Sequence, residues 1–363
     1  MFKRTVILAS LLLAQSAIAA TEYTGESVDG VKVIQRLDLN DLAPGKIHRF
    51  YLQGAESALG QRWLIPVVIA KGSQPGVRIG LQTGVHGDEL NGSLAVHRLF
   101  ERLDPKQLKG SVIAVVSANS TGLLASSRYY QMEHDRNGID FNRVWPGKID
   151  GNTAEQQVYR IFNGIWKGNA DSIIDIHTQS TGTAYPLYMY ADYRVPGVKV
   201  MAELFPADII KIDPGEPGAA EQAFNDAGMP SVTLEIGSPK TYQSDLVNRS
   251  VQGFENLMMH FGMIPGVPAM TARQQGTFIG TESISIRAQR GGYAEILVAL
   301  NQDIRAGQLL AVQRNGFGDI IARYTAPFDA RVSSIGTDPL REPGGMLVRL
   351  IRLNSQASCK DGC

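Results

Sequence analysis

The chain has 363 residues, 44% of them hydrophobic and 19% charged, which suits a globular protein with one sizeable core and a smaller second unit. Lys and Arg total 35 and so do Asp and Glu, so no net field draws the chain to nucleic acid or to an anionic membrane surface. Chemistry on a small molecule or a peptide is what remains.

In chain order, Lys3 and Arg4 precede an apolar run from Thr5 to Ala14, and Ser16-Ala17-Ile18-Ala19-Ala20 offers small residues for cleavage after Ala19 or Ala20. This pattern predicts a secretory signal peptide over residues 1–20 and an exported mature protein, periplasmic or secreted. The run is too short to span a bilayer, and no later run is long and apolar enough, so stable membrane insertion is not expected. The stretch 21–60 is polar and compatible with an edge strand.

From residue 60 onward the texture alternates. Trp63 to Ala70 and Val77 to Gly84 are β-rich runs around the turn Lys71-Gly72-Ser73-Gln74-Pro75-Gly76. Ser93 to Leu103 has helical periodicity, and Ser111 to Ala118 is another buried run. Glu155–Trp166, Val198–Leu204, Ala219–Ala227 and Leu246–Phe261 read as helices, and Ser172–Ile176, Pro186–Tyr190 and Ser231–Ile236 as strands. Apolar strands alternating with helices predict an α/β fold: a mixed, mostly parallel sheet with helices on both faces. After Met263-Ile264-Pro265-Gly266 come short alternating runs between Gly and Pro turns, so an all-β domain is expected over 267–355, after a catalytic domain over 21–266. A tail, 356–363, carries both cysteines; in an oxidising compartment Cys359 and Cys363 could close a small disulfide loop.

The chemistry concentrates in a few places. Gly84-Val85-His86-Gly87-Asp88-Glu89 puts an imidazole and a carboxylate three residues apart where a strand gives way to a helix. A second imidazole, His177, closes the strand Asp171-Ser172-Ile173-Ile174-Asp175-Ile176-His177 and faces the same crevice. Two histidines, a glutamate and an open position for water are the pattern of a hydrolytic zinc site. Asp175, two residues before His177 on the same face, is placed to orient that imidazole. Glu235 is a carboxylate inside the apolar strand Ser231–Ile236; burying it unpaired is costly, and a general base explains its presence better than a structural ion pair. Asn142-Arg143 offers a planar grip for a substrate carboxylate, and Arg128 a cation for a developing oxyanion. Two surface arginines are the plainer account of that last pair.

The ordered series Gly-x-His-Gly-x-Glu, Asp-x-Asn-Arg, Asp-x-His and x-Glu-x-Gly resembles the succinylglutamate desuccinylase/aspartoacylase family of the zinc carboxypeptidase superfamily. The likeness extends over residues 60 to 350, because Gly307-Gln308-Leu309-Leu310, Phe317-Gly318 and Ala326-Pro327-Phe328-Asp329-Ala330 echo that family's lipoyl-like C-terminal half-barrel. The resemblance implies one zinc ion per chain on His86, Glu89 and His177, with Glu235 as the base that also protonates the leaving amine. It implies Arg143 with Asn142 on the substrate carboxylate and Arg128 polarising the scissile carbonyl. Arg136 competes for that last role, and His134 in the same insert is a further substrate contact to weigh. Phe141 stands where the family has Leu. No Lys sits in a tight exposed turn of the β domain, so no lipoylated or biotinylated arm is implied.

The expected function is an exported zinc hydrolase cleaving amide bonds in N-acyl amino acids or small peptide-like compounds that carry a carboxylate. The alternative is a metallocarboxypeptidase acting on peptides, including cell-wall peptides. A β domain folded over the site would favour the first, and one standing clear the second. A third reading, a pseudoenzyme that keeps the fold without turnover, predicts no zinc or zinc without hydrolysis. His48, His97 and His260 read as structural or exposed, and Tyr242 as a candidate substrate contact.

Overall fold

The structure, a computed structural model, describes residues 20–131 and 138–353. Residues 1–19 of the expected signal peptide, His134, Arg136 and both cysteines lie outside the described residues.

The strands in chain order are β1 (Glu22–Val28), β2 (Val31–Arg36), β3 (Lys46–Glu56), β4 (Arg62–Lys71), β5 (Gln74–Thr83), β6 (Lys109–Val115), β7 (Ser172–His177), β8 (Thr183–Ala184), β9 (Leu187–Ala191), β10 (Ile209–Ile212), β11 (Ser231–Ile236) and β12 (Phe278–Gly280). The helices are α1 (Asn91–Arg102), α2 (Ser120–Leu124), α3 (Thr153–Ile161), α4 (Val198–Glu203), α5 (Ala220–Asp226), α6 (Ser244–His260) and α7 (Ala272–Gln275). Eleven strands form one mixed sheet in the order β1-β2-β3-β4-β6-β5-β7-β11-β9-β10-β12. The stretch 21–60, read from sequence as little more than an edge, contributes three of them. Among the described residues no helix is long and apolar enough to cross a membrane.

The sheet's centre, β6-β5-β7-β11, is parallel, while β4 runs antiparallel to β6 and β9 antiparallel to β11. The turn between β4 and β5 holds two residues, too few for a crossover, which needs a dozen or more. The two strands therefore run in opposite directions, and β6 inserts between them.

Alternation along the central strands sends side chains into two different clusters. Ile174 and Ile176 of β7 join Val232 and Leu234 of β11, Val96 and Leu99 of α1, and Val251 and Phe254 of α6. Ile173 of β7 joins Val158 and Ile161 of α3, Trp166, and Phe224 of α5. Each fully buried aliphatic side chain contributes about 1.5–3 kcal/mol, so both clusters fix β7 in place.

On the Ile173 side the carboxyl end of the sheet turns polar. In register across five strands lie Gln82, Asp175, Thr233, Tyr190 and Lys211. One step along, His177, Glu235 and Tyr188 form a second row. Period-two alternation puts both rows on one face.

The remaining strands, β13 (Ser283–Arg287), β14 (Gly292–Ile296), β15 (Asp303–Ile304), β16 (Leu309–Arg314), β17 (Ile320–Thr325), β18 (Ala330–Gly336), β19 (Leu340–Arg341) and β20 (Met346–Arg352), build two further sheets, β13-β20-β18-β15 and β17-β16-β14-β19, around their own apolar cluster. This part is tied to the large sheet. β8 pairs with β18, β12 lies beyond residue 266 yet pairs parallel with β10, and Ile351 packs with Tyr185, Tyr188 and Ile209.

Candidate active site

The loop between β5 and α1 carries His86 and Glu89, both buried. Gly84 takes a positive φ of 65° to start the turn, a conformation that favours glycine. A Cβ at Gly87 would overlap the backbone of Gly122 and Leu123, so α2 packs directly onto the loop. Asn91, at the start of α1, donates to the Ile236 carbonyl at 3.0 Å and pins the loop to the end of β11. Gly87→Ala should therefore lower the melting temperature and weaken metal uptake together, since the overlap is with backbone that cannot step aside. Differential scanning calorimetry and metal titration of the same variant check this.

His177 ends β7 and meets that loop. The His86 and His177 Nδ1 atoms are 3.2 Å apart, and each lies 2.8 Å from a different oxygen of the Glu89 carboxylate. One ligand atom from each of the three side chains falls within 4.8 Å of the others. Both imidazoles are held from behind: His177 Nε2 lies 2.9 Å from Asp175 Oδ2, and His86 Nε2 lies 3.1 Å from Asp140 Oδ1. The Thr178 N–H donates to Glu89 Oε2 at 3.1 Å. Two imidazole nitrogens turned toward each other beside a carboxylate, with carboxylates fixing the far nitrogens, are a donor set that fits a divalent metal.

The charges are strongly coupled. Burial opposes ionisation of Glu89, but His86 and His177 hold its carboxyl well below the usual range. Burial likewise opposes ionisation of Asp140, and the His86 hydrogen bond and the Arg128 charge more than offset it. Glu235, in register with His177, is different. It makes no side-chain hydrogen bond among the described residues, its Oε2 is buried without a partner, and burial pushes its carboxyl up to about 8.

Arg128 reaches the same centre. One terminal nitrogen lies 3.2 Å from Glu89 Oε1 and 3.1 Å from Ser180 Oγ, and the other 3.2 Å from Asp140 Oδ2. Asn142 and Arg143 also line the cavity. The Asn142 amide oxygen accepts from the Ala220 N–H at 2.8 Å and so caps α5, leaving its NH2 group for a ligand. Arg143 is paired with Glu216 and donates to the Asn142 carbonyl at 2.7 Å. The cavity has a volume of about 400 Å³, and Ser283, Ser285 and Arg349 of the C-terminal sheet form one wall.

Sequence reasoning assigned no role to Asp140, Ser180 or Arg349. For Asp140 a signal existed, because it opens the same Asp140-Phe141-Asn142-Arg143 series and its Oδ1 also accepts the Asn142 N–H at 3.0 Å. Asp140→Asn should weaken metal affinity about 10–100-fold, the usual cost of losing such a support, as read by competition with a chromogenic chelator. Tyr242 sits apart from the cavity, bonded to Arg98 on α1.

The model of the succinylglutamate desuccinylase/aspartoacylase catalytic domain matches residues 75–261. The N-alpha-acetyl-L-2,4-diaminobutyric acid deacetylase of Halomonas elongata is 26% identical over 288 residues, 74% of this chain and 80% of that protein. A succinylglutamate desuccinylase/aspartoacylase from Rhodobacter sphaeroides is similar in structure, with a TM-score of 0.74 at 20% identity, over 87% of this chain and 98% of that one. The product-bound ectoine utilization protein EutE (DoeB) from Ruegeria pomeroyi has a TM-score of 0.75 at 20% identity, over 86% and 98%. The matched span holds both histidines, Glu89, Arg128, Asp140 and Glu235, and the chain belongs to the succinylglutamate desuccinylase/aspartoacylase family.

Proposed function

We propose that the chain is an exported, zinc-dependent hydrolase that cleaves the amide bond of N-acyl amino acids or small peptide-like substrates carrying a carboxylate. One juxtaposition carries this reading: the His86, Glu89 and His177 donors stand beside Glu235, a carboxylate with a buried, unpartnered oxygen. Zinc, when bound by those donors, supplies Lewis acidity that activates water and polarises a carbonyl. Glu235 takes the proton of the attacking water and returns it to the leaving amine. The Arg128 guanidinium donates to the oxygen on which negative charge develops. Arg143 with Asn142 holds the substrate carboxylate, exchanging the pair with Glu216 for one with the ligand and lowering the entropic part of the barrier.

The wall built by Ser283, Ser285 and Arg349 supports a small acyl substrate over a long peptide, because the C-terminal sheet bounds the cavity instead of standing clear of it. The diaminobutyric acid deacetylase relative supports the same class. Export to the periplasm or medium, the lipoyl-like character of the β part and the division near residue 266 belong to this proposal. Metal analysis of the mature chain, followed by a screen of N-acetyl and N-succinyl amino acids against dipeptides, tests it. We expect one zinc per chain and hydrolysis of acyl amino acids. Preference for dipeptides would favour the carboxypeptidase, and zinc with no turnover of either class would leave a pseudoenzyme.

A further inference from the structure

Most cations around the cavity are already paired. Arg128 bonds to Glu89 and Asp140, Arg143 to Glu216 and Lys211 to Asp213. Arg349 is the exception. It projects from β20 on the same face as Ile351, which packs against Tyr185 and Tyr188. Its Nε donates to Ser285 Oγ at 3.2 Å, and one terminal nitrogen donates to the Tyr190 hydroxyl at 3.2 Å and to the Tyr185 hydroxyl. Its guanidinium carbon sits 5.8 Å from the Tyr185 ring centroid. No carboxylate among the described residues forms an ion pair with it, and its second terminal nitrogen has no partner there. Burial pushes both tyrosine hydroxyls well above their ordinary value, so they bring no charge to balance it.

Glu235 acts on Arg349 as a nearby charge but not as an ion-pair partner, and a partly buried guanidinium without a bonded carboxylate is costly unless an anion arrives to pair with it. Arg349 already has its fork oriented by three fixed acceptors, which reduces what binding must order. We propose that Arg349 is a specificity-determining residue: it receives a second carboxylate of the substrate, distinct from the one held by Arg143. This rests on the hydrolase reading above. The second carboxylate could lie on the amino acid side chain or on a dicarboxylic acyl group; the chemistry read by Arg349 is the same.

The test compares N-acetylalanine, N-acetylaspartate, N-succinylalanine and N-acetyl-2,4-diaminobutyrate on the zinc-loaded wild type and on Arg349→Gln. A charge-assisted bond lost from the dianionic substrates should raise their KM about tenfold or more, with N-acetylalanine unchanged and the melting temperature preserved. Whichever dianionic substrate responds identifies the end that carries the group. Arg349→Lys, which keeps the charge, should recover part of the loss. Calorimetry with glutarate against butyrate gives a readout free of turnover: glutarate should bind the wild type more tightly, and Arg349→Gln should erase the difference. The inference is overturned if Arg349→Gln slows all substrates equally, the result of a purely structural role or of action through Glu235. A wild-type preference for the diaminobutyrate substrate overturns it too. Selective glutarate binding without hydrolysis of any substrate would sink the hydrolase and leave the Arg349 assignment standing. Hydrolysis of N-acetylalanine with no effect of Arg349→Gln on any substrate would do the reverse.

Discussion

Glu235→Gln should lower kcat about 10²–10⁴-fold, the usual contribution of a positioned general base, while zinc content and KM stay close to wild type. The substitution is nearly isosteric, and the site donates no hydrogen bond to the carboxylate that an amide would lose. The donors that fit a metal lie on the β5–α1 loop and at the end of β7, one strand away. A defect confined to kcat would place Glu235 in proton transfer. A variant that also sheds its metal would show instead that Glu235 supports the ligand cluster. Steady-state kinetics beside metal analysis on one preparation separates the two.

The second large effect belongs to His177→Ala. Removing it takes away one of three donors and strands Asp175, whose Oδ2 holds His177 Nε2 at 2.9 Å, while Glu89 keeps His86, Arg128 and the Thr178 N–H. We expect zinc content to fall to near zero and kcat/KM by more than about a thousandfold, since the metal supplies several kcal/mol of transition-state stabilisation. Stability should fall as well. Asp175 is buried, and leaving a buried charge without its partner typically costs about 3–5 kcal/mol. Chelation of the wild type should reproduce the kinetic loss reversibly and lower the melting temperature, because a ligand bound only by the folded state stabilises it by mass action. Retention of full zinc by His177→Ala would refute the ligand set.

Much of this centre was legible because its determinants are local. His86 and Glu89 are three residues apart at a strand end, and Asp175 and His177 share a strand face by period-two alternation. Glu235 stood out as an acid within an apolar run. What the sequence concealed is long-range. Asp140 supports His86 across 54 positions, and only folding brings the two within hydrogen-bond distance. Arg349 lies in Met346-Leu347-Val348-Arg349-Leu350, where alternation reads as an ordinary solvent-facing position; the large sheet, arriving from elsewhere in the chain, turns that position into a cavity wall. The strands β1 to β3 were hidden for a related reason. Their pairing with β4 and one another, not a continuous apolar run, makes them strands, and short β10 depends in the same way on β9 and β12. The two-residue link between β4 and β5 did encode a reversal of direction, but not which strand would fill the gap.

The wall contributed by β13 and β20 has a practical corollary. On the reading proposed above, part of the discrimination rests on the C-terminal sheet while the proposed metal donors and base lie on the large one, so the choice of compound could drift through changes in that wall without altering them. An engineer seeking a different selectivity would start at Ser283, Ser285 and Arg349 and leave the histidines alone.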